Sequence, residues 1–246
     1  MDEAKKIAKM IDHSLLHPTM TDEDLREGLK VAKQYDVASV CIKPYAVKLA
    51  AEILEGTNIP VCTVIGFPHG SNTIEVKVFE TKKAIEEGAT EIDMVINIGK
   101  ALQGDWNYID SEIAAISAIT KKHNAILKVI FETDYVTKNE DKIKLCELCS
   151  KNKVEYVKTS TGFGFAKGKD GKYSYVGATE DDLRLMRKHA APEVGVKASG
   201  GLRTLEATRK AIELGATRIG ATATAAIIGE LLGEKPKASA TQDSGY

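Results

Sequence analysis

The sequence has no excess of charge of either sign. Its 34 lysines and arginines stand against 35 aspartates and glutamates, a formal net charge of −1 over 246 residues. That balance supplies no basic field to attract nucleic acid or an anionic membrane surface, so any anion site must be local. Long apolar runs are missing too. No stretch approaches the roughly 18 residues that a membrane-spanning helix needs. The first ten residues, MDEAKKIAKM, are charged and lack the apolar core of a secretory signal. Cysteine is scarce, with four residues: Cys41, Cys62, Cys146 and Cys149. Cys41 and Cys62 sit in apolar runs, where a free thiol behaves as a small hydrophobe. Cys146 and Cys149 form a lone C-x-x-C inside a helical pattern, without the second ligand pair that a zinc site wants. A reducing, cytoplasmic setting is expected.

Several motifs of fixed spelling are also missing. No G-x-S-x-G elbow presents a serine nucleophile. The first apolar run continues as HPTMTDED, not as the G-x-G-x-x-G of a dinucleotide-binding sheet. The five histidines are His13, His17, His69, His123 and His189, and no pair shares a strand face with a carboxylate in a recognisable ligand set. His13 and His17 lie four apart but straddle a strand end and Pro18. No metal and no cofactor are expected.

What is present is a rhythm. Short apolar, β-branched runs occur at 11–16, 38–44, 60–68, 91–97, 125–133, 155–160, 195–200 and 218–222. Amphipathic helical patterns separate them. Thr21, Thr179 and Thr204 stand as N-cap candidates, and Gly88 and Gly215 as stops. Near-continuous apolar strands alternating with helices argue for a parallel sheet covered by helices. Eight such units predict an α/β fold of one domain, a (β/α)8 TIM barrel over residues 1–233. The first ten residues read as an extra N-terminal helix lidding the barrel bottom. Residues 165–177 form an insertion after the sixth strand, with Asp170-Gly171 as a hairpin turn signal. The tail 234–246 is polar and aperiodic and is expected to be mobile.

In such a barrel, functional groups sit at the C-terminal ends of the strands. The polar residues inside or ending these strands are Asp12, Lys43, Asp93, Asn97, Lys128, Glu132, Lys158, Thr159, Ser160, Lys197 and Ser199. Lysine is depleted in strands and seldom buried without a partner. Yet EYVKTSTGFGF and VGVKASGG each put one near a strand end, Lys158 and Lys197. A single strand lysine could simply snorkel to water. Two on neighbouring strands, with Asp93 two strands away, point to chemistry. Adjacent ammonium groups disfavour each other's charge, burial acts in the same direction, and a neutral amine attacks carbonyls. Asp93 would balance charge and move protons. The loops Gly200-Gly201 and Gly220-Ala221-Thr222, each before a helix, suit a phosphate. A phosphorylated carbonyl substrate follows. A non-catalytic sugar-phosphate-binding barrel, with the lysines as anion ligands, is the alternative of a different class.

The segments IDHSLLHPT, TVIGFPHG, EIDMVINIG, LKVIFET, VKTSTGFG, VKASGGLRT and RIGATA, in this order, resemble the deoxyribose-phosphate aldolases, a class I family. Transaldolases and fructose-type aldolases are the enzymatic rivals. The resemblance implies reversible cleavage of 2-deoxy-D-ribose 5-phosphate to glyceraldehyde 3-phosphate and acetaldehyde. It implies Lys158 as the Schiff-base lysine, Lys197 as the lysine that perturbs and relays, and Asp93 in the proton relay. It also implies substrate-binding roles for Asp12, Cys41, Lys128 and Thr161. Phosphate contacts would come from Gly162, Gly200, Gly201, Gly220 and Thr222, and Tyr246 would enter the site from the C-terminus. A homodimer or higher homo-oligomer is implied as well. Phe163 stands where some relatives place a further lysine, and the 165–177 insertion is longer than the family's usual loop.

Overall fold

The structure, a computed structural model, describes residues 3–168 and 170–234. The expected tail beyond Glu234, with Tyr246, lies outside the described residues.

Eight parallel strands close on themselves. They are β1 (Ile11–Leu15), β2 (Ser39–Ile42), β3 (Val61–Ile65), β4 (Glu91–Val95), β5 (Ile126–Ile130) and β6 (Tyr156–Lys158). After a two-stranded hairpin of β7 (Ala166–Lys167) and β8 (Tyr173–Ser174) come β9 (Gly195–Ser199) and β10 (Arg218–Ala221). Around the barrel the strands follow chain order, and β10 pairs with β1 to close it. Each apolar run of the sequence contains one strand, and the chain is an α/β TIM barrel. The helices are α1 (Glu3–Ala8), α2 (Asp22–Tyr35), α3 (Val47–Leu54), α4 (Ile74–Glu86), α5 (Ile98–Leu102), α6 (Trp106–Lys122), α7 (Asn139–Lys151), α8 (Glu180–His189), α9 (Leu205–Glu213) and α10 (Thr224–Leu232). None of them is long and apolar enough to cross a membrane.

The helices begin where the caps say. The Thr21 hydroxyl accepts from Asp24 N–H while the Asp24 carboxylate accepts from Thr21 N–H at 2.7 Å, a reciprocal capping box. Thr179 and Thr204 cap α8 and α9 through the N–H groups of Asp182 and Ala207. Each such cap contributes about 1 kcal/mol. Thr73 precedes α4 without a side-chain cap bond. Ile42, Ile92, Leu127, Val129, Val157, Val196 and Ile219 are fully buried in the continuous apolar cluster of strands and helices. Each stabilises the fold by about 1.5–3 kcal/mol.

Helix α1 buries Ala4, Ile7 and Ala8, and Ala8 C=O accepts from Ala38 N–H just before β2. It therefore sits at the N-terminal end of the strands, as a bottom lid would. The insertion is a hairpin: Ala166 pairs with Ser174 and Lys167 with Tyr173, and Gly171 takes φ +78° in its turn. Two polar residues at strand ends have local duties. Asn97 caps α5 by accepting from Lys100 N–H, and Lys43 donates to the carbonyls of His17 and Met20. Cys146 and Cys149 are buried and unpaired within α7.

Candidate active site

The inside of this barrel departs from the usual filling of branched apolar side chains. Lys158, the last residue of β6, and Lys197 of β9 are register partners, so their side chains rise side by side on one face. Both Nζ atoms lie 2.7 Å from the same oxygen, Asp93 Oδ2. The other oxygen, Asp93 Oδ1, accepts from Lys128 Nζ at 2.8 Å. Lys128 is in turn 2.6 Å from Glu91 and 3.4 Å from Asp12. Lys197 reaches Asp12 Oδ2 at 2.5 Å. Arg218 closes the network, 2.6 Å from Asp12 and 3.2 Å from Glu91.

Charges buried like this are costly unless paired and hydrogen-bonded. Burial opposes the charge on Asp93, but Lys128, Lys158 and Lys197 outweigh it and hold the carboxyl well below its ordinary range. Asp12 is held low in the same way by Lys128, Lys197 and Arg218. Burial also works against charge on Lys197 and Lys128, and the surrounding carboxylates overcome it, so both amines are held above the usual lysine range. Lys158 and Lys197 lie together, with Asp93 between them balancing their charge, and Lys197 is held charged. The useful quantity is the charge count of the ion-paired cluster: among the described residues, Lys128, Lys158, Lys197 and Arg218 pair with Asp12, Glu91 and Asp93. Loss of one proton makes the cluster neutral. Lys158 touches a single carboxylate, shared with two other lysines, and it opens onto the cavity.

That cavity lies at the C-terminal ends of the strands. Its walls include Asp12, Cys41, Lys158 and Lys197 and the loops Thr161-Gly162, Gly200-Gly201 and Gly220-Ala221-Thr222. Polar lysine chemistry and backbone-rich loops thus share one space. A family model described as DeoC/LacD family aldolase matches residues 6–234. The chain belongs to the DeoC/LacD aldolase family. It is similar to the deoxyribose-phosphate aldolase of Rhodopirellula baltica, 46% identical over 244 residues, covering 98% of this chain and 97% of that protein. It is 51% identical over 222 residues to the deoxyribose-phosphate aldolase of Bacillus cytotoxicus, covering 90% and 94%. Among solved structures, the tetrameric deoxyribose phosphate aldolase of Aeropyrum pernix superposes with TM-score 0.83 at 27% identity, covering 94% of this chain and 92% of that one. The aldolase QR15 gives TM-score 0.83 at 34% identity, covering 92% and 96%.

For a DeoC/LacD aldolase the positions of the expected residues are telling. Asp12, Cys41, Lys158, Thr161, Gly162, Lys197, Gly200, Gly201, Gly220 and Thr222 all line the cavity. Asp93 and Lys128 are fully buried and do not line it; they stand behind Asp12, Lys158 and Lys197. Phe163 packs edge-on against Phe67, with ring centroids 5.4 Å apart. The insertion contributes Tyr175 to the cavity wall. Glu91 and Arg218 were not expected in the site, although as charges opening the apolar runs EIDMVIN and RIGAT they carried a signal. Cys62, expected only as a small hydrophobe, also lies 3.2 Å from Asp93 Oδ1. Arg203 also lines the cavity, within the loop KASGGLRT.

Cys41, Cys62 and Asp93 bring two thiols and a carboxylate within 4.8 Å, the spacing of a metal triad. The donor chemistry does not fit a cation. Lys128 Nζ lies 3.2 Å from Cys62 Sγ and 2.8 Å from Asp93, and two further ammonium groups bond the same carboxylate. Burial, together with Cys41 and Asp93, pushes the Cys62 thiol well up, so it stays protonated.

Proposed function

We propose that the chain acts as a deoxyribose-phosphate aldolase, cleaving 2-deoxy-D-ribose 5-phosphate reversibly to glyceraldehyde 3-phosphate and acetaldehyde. The observation that carries the reading is the shared oxygen: Lys158 and Lys197 both rest on Asp93 Oδ2, and both line a cavity that glycine-rich loops also line. A sugar phosphate that places its phosphate on Gly162, Gly200, Gly201 and Gly220 leaves its carbonyl end toward Lys158.

In this reading, neutral Lys158 attacks C1 of the open-chain aldehyde and loses water to form an imine. The protonated imine is an electron sink. Removal of the C3 hydroxyl proton breaks the C2–C3 bond, glyceraldehyde 3-phosphate leaves, and the enamine keeps the electron pair. Protonation of the enamine at C2 and hydrolysis release acetaldehyde and return Lys158. Asp12 and Lys197 border the cavity, and in this reading they handle these protons. Asp93 acts from behind them, as the anion through which the amines communicate. Lys128 belongs to this supporting layer. Tyr246 is retained as a candidate enamine acid.

Acetaldehyde plus borohydride tests the reading, with EDTA present throughout. An ethyl adduct on Lys158, absent in Lys158→Ala, is the expected result. Turnover of deoxyribose 5-phosphate without that adduct would sink the assignment of Lys158. A chain that binds the sugar phosphate without cleaving it would favour the non-catalytic reading. The four free thiols suit a cytoplasmic setting, and assembly into a homodimer or higher homo-oligomer, checked by light scattering, completes the proposal.

A further inference from the structure

The turn after β5 holds two carboxylates, Glu132 and Asp134, that the aldol chemistry does not use. Glu132 is only 1% exposed and takes φ +56°, a left-handed backbone that is uncommon for a residue with a side chain. Such outliers persist where the surroundings hold them and cluster at functional sites. Among the described residues, the Glu132 carboxylate takes its hydrogen bonds from Thr161 and none from a lysine or arginine. The Thr161 hydroxyl donates to Oε2, and Thr161 N–H lies 3.3 Å from Oε1 and 3.4 Å from Oε2. Phe163 N–H then donates to the Thr161 hydroxyl at 2.9 Å. Gly164 lies so close that a Cβ there would stand 2.9 Å from the carboxylate. One buried side chain therefore shapes the segment that carries Thr161 and Gly162 into the cavity.

Asp134 does the same for the neighbouring loop, the one that follows β9. Its Oδ1 accepts from Val176 N–H at 2.5 Å and from Gly177 N–H at 3.2 Å, where the hairpin returns to the barrel. Gly177 in turn packs backbone to backbone on Gly200, so closely that a Cβ on it would stand 2.6 Å from the Gly200 carbonyl. Ala178 N–H donates to that carbonyl at 3.2 Å. The loop of Gly200 and Gly201 is thus buttressed by a segment that Asp134 anchors. Burial pushes the Glu132 carboxyl up to about 7, with Thr161 and the Lys158 charge opposing and Asp134 adding to the rise, a sign that it is held in place at a cost to its charge.

We propose that Glu132 and Asp134 are positioning residues that set two neighbouring loops of the cavity, Thr161-Gly162 and Gly200-Gly201, for a phosphate-bearing substrate. The proposal rests on the aldolase reading above. Geometry set by residues outside the chemistry is felt in binding and rate, because an ångström of misplacement is costly.

The test compares Glu132→Ala and Asp134→Ala with Glu132→Gln and Asp134→Asn. In Gln, an amide oxygen at the place of Oε2 still meets both Thr161 donors, and in Asn, Oδ1 still meets both hairpin N–H groups. Each alanine variant is expected to raise KM for deoxyribose 5-phosphate roughly tenfold or more, with kcat held within about threefold and KM for unphosphorylated 2-deoxyribose little changed. Affinity for inorganic phosphate, measured by calorimetry, should fall in parallel. The amide variants should return to within about twofold of wild type. Equal losses of kcat and KM on both sugars, or amide variants as impaired as alanine, would overturn the proposal. If Glu132→Ala does not fold, Glu132→Asp draws the carboxylate away from Thr161 and is read the same way. Wild-type protein that never cleaves the sugar phosphate, with phosphate affinity still lost in the alanine variants, would sink the aldolase reading and leave the two positioning residues standing. Normal wild-type turnover, with KM and phosphate affinity unmoved in the variants, would do the reverse.

Discussion

Two buried ionic arrangements in this molecule use the same residue types to opposite ends. Between α4 and α6, Lys77 Nζ lies 2.5 Å from Glu112 Oε1 and also donates to the carbonyls of Gly70 and Val95. The other Glu112 oxygen accepts from Asn97 N–H at 2.9 Å. All three ammonium donors and both carboxylate oxygens are occupied, and one cation meets one anion. Burial prevails there, pushing Lys77 down and Glu112 up despite their mutual attraction. Inside the barrel charge prevails over burial, holding Asp93 low and Lys197 high. The difference lies in stoichiometry and access. The helix pair is closed and balanced. The barrel cluster carries one cation more than it has carboxylates, and its least-supported amine faces a cavity. A buried ion pair by itself says little about function; an unbalanced one with an open side says a great deal.

Changing the count should separate the two. Lys197→Leu removes a cation, and Asp93→Asn removes an anion. Both are expected to lower kcat by a factor on the order of 10²–10⁴, as loss of proton-transfer groups does. The pH optimum of the residual activity should move upward in Lys197→Leu and downward in Asp93→Asn, because the remaining charge excess shrinks in one and grows in the other. Shifts of the same sign in both pH profiles would break the stoichiometric account.

At the helix pair the effect should fall on stability. Lys77→Met strands Glu112 and is expected to cost about 3–5 kcal/mol in denaturant unfolding, while adding Glu112→Leu recovers most of it. The folded fraction should turn over substrate within about threefold of wild type. A large kcat loss in the double variant would show that this pair too serves catalysis.

Proton linkage supplies a finer contrast. Glu132 titrates near 7 in the fold against an ordinary value of 4.5. Its contribution is fully present below pH 4.5 and is lost as pH rises through 7, about 3 kcal/mol at 1.36 per unit. His13, buried and 2.8 Å from the Thr224 hydroxyl, is pushed the other way by burial, down to about 4 from 6.5. Its contribution is present above pH 6.5 and is lost as pH falls through 4. Between pH 4.5 and 6.5 the two act in opposite directions, so Glu132→Gln should lose stability more steeply than wild type on acidification through that window, seen as a steeper Tm–pH curve. Identical Tm–pH curves would remove Glu132 from the linkage.

Much of this was legible in the order of residues. Strand runs and threonine caps are local: a cap needs only a hydroxyl and an N–H group three residues away, and a buried parallel strand needs only a short apolar run. Lys158 and Lys197 could be placed together because consecutive barrel strands are neighbours, and their register pairing agrees. The hairpin could be read from Asp170-Gly171. Other features were silent. Glu91 and Arg218 lie 127 positions apart, and neither run reveals that they meet inside a closed barrel. Lys77 and Glu112 look like ordinary helix charges until α4 and α6 dock. Glu132 reads as the polar end of a strand; that it holds Thr161 depends on two loops meeting above β5 and β6.

By itself, then, the sequence determined the barrel, its eight strands, its caps and the two lysines, because periodicity, capping and strand adjacency act over short range or follow from chain order. Tertiary structure alone decided which charges share an oxygen, how many cations face how many anions, and which amine opens to the cavity. Those quantities depend on distances between strands and loops far apart in the chain, and buried electrostatics changes with every ångström of them.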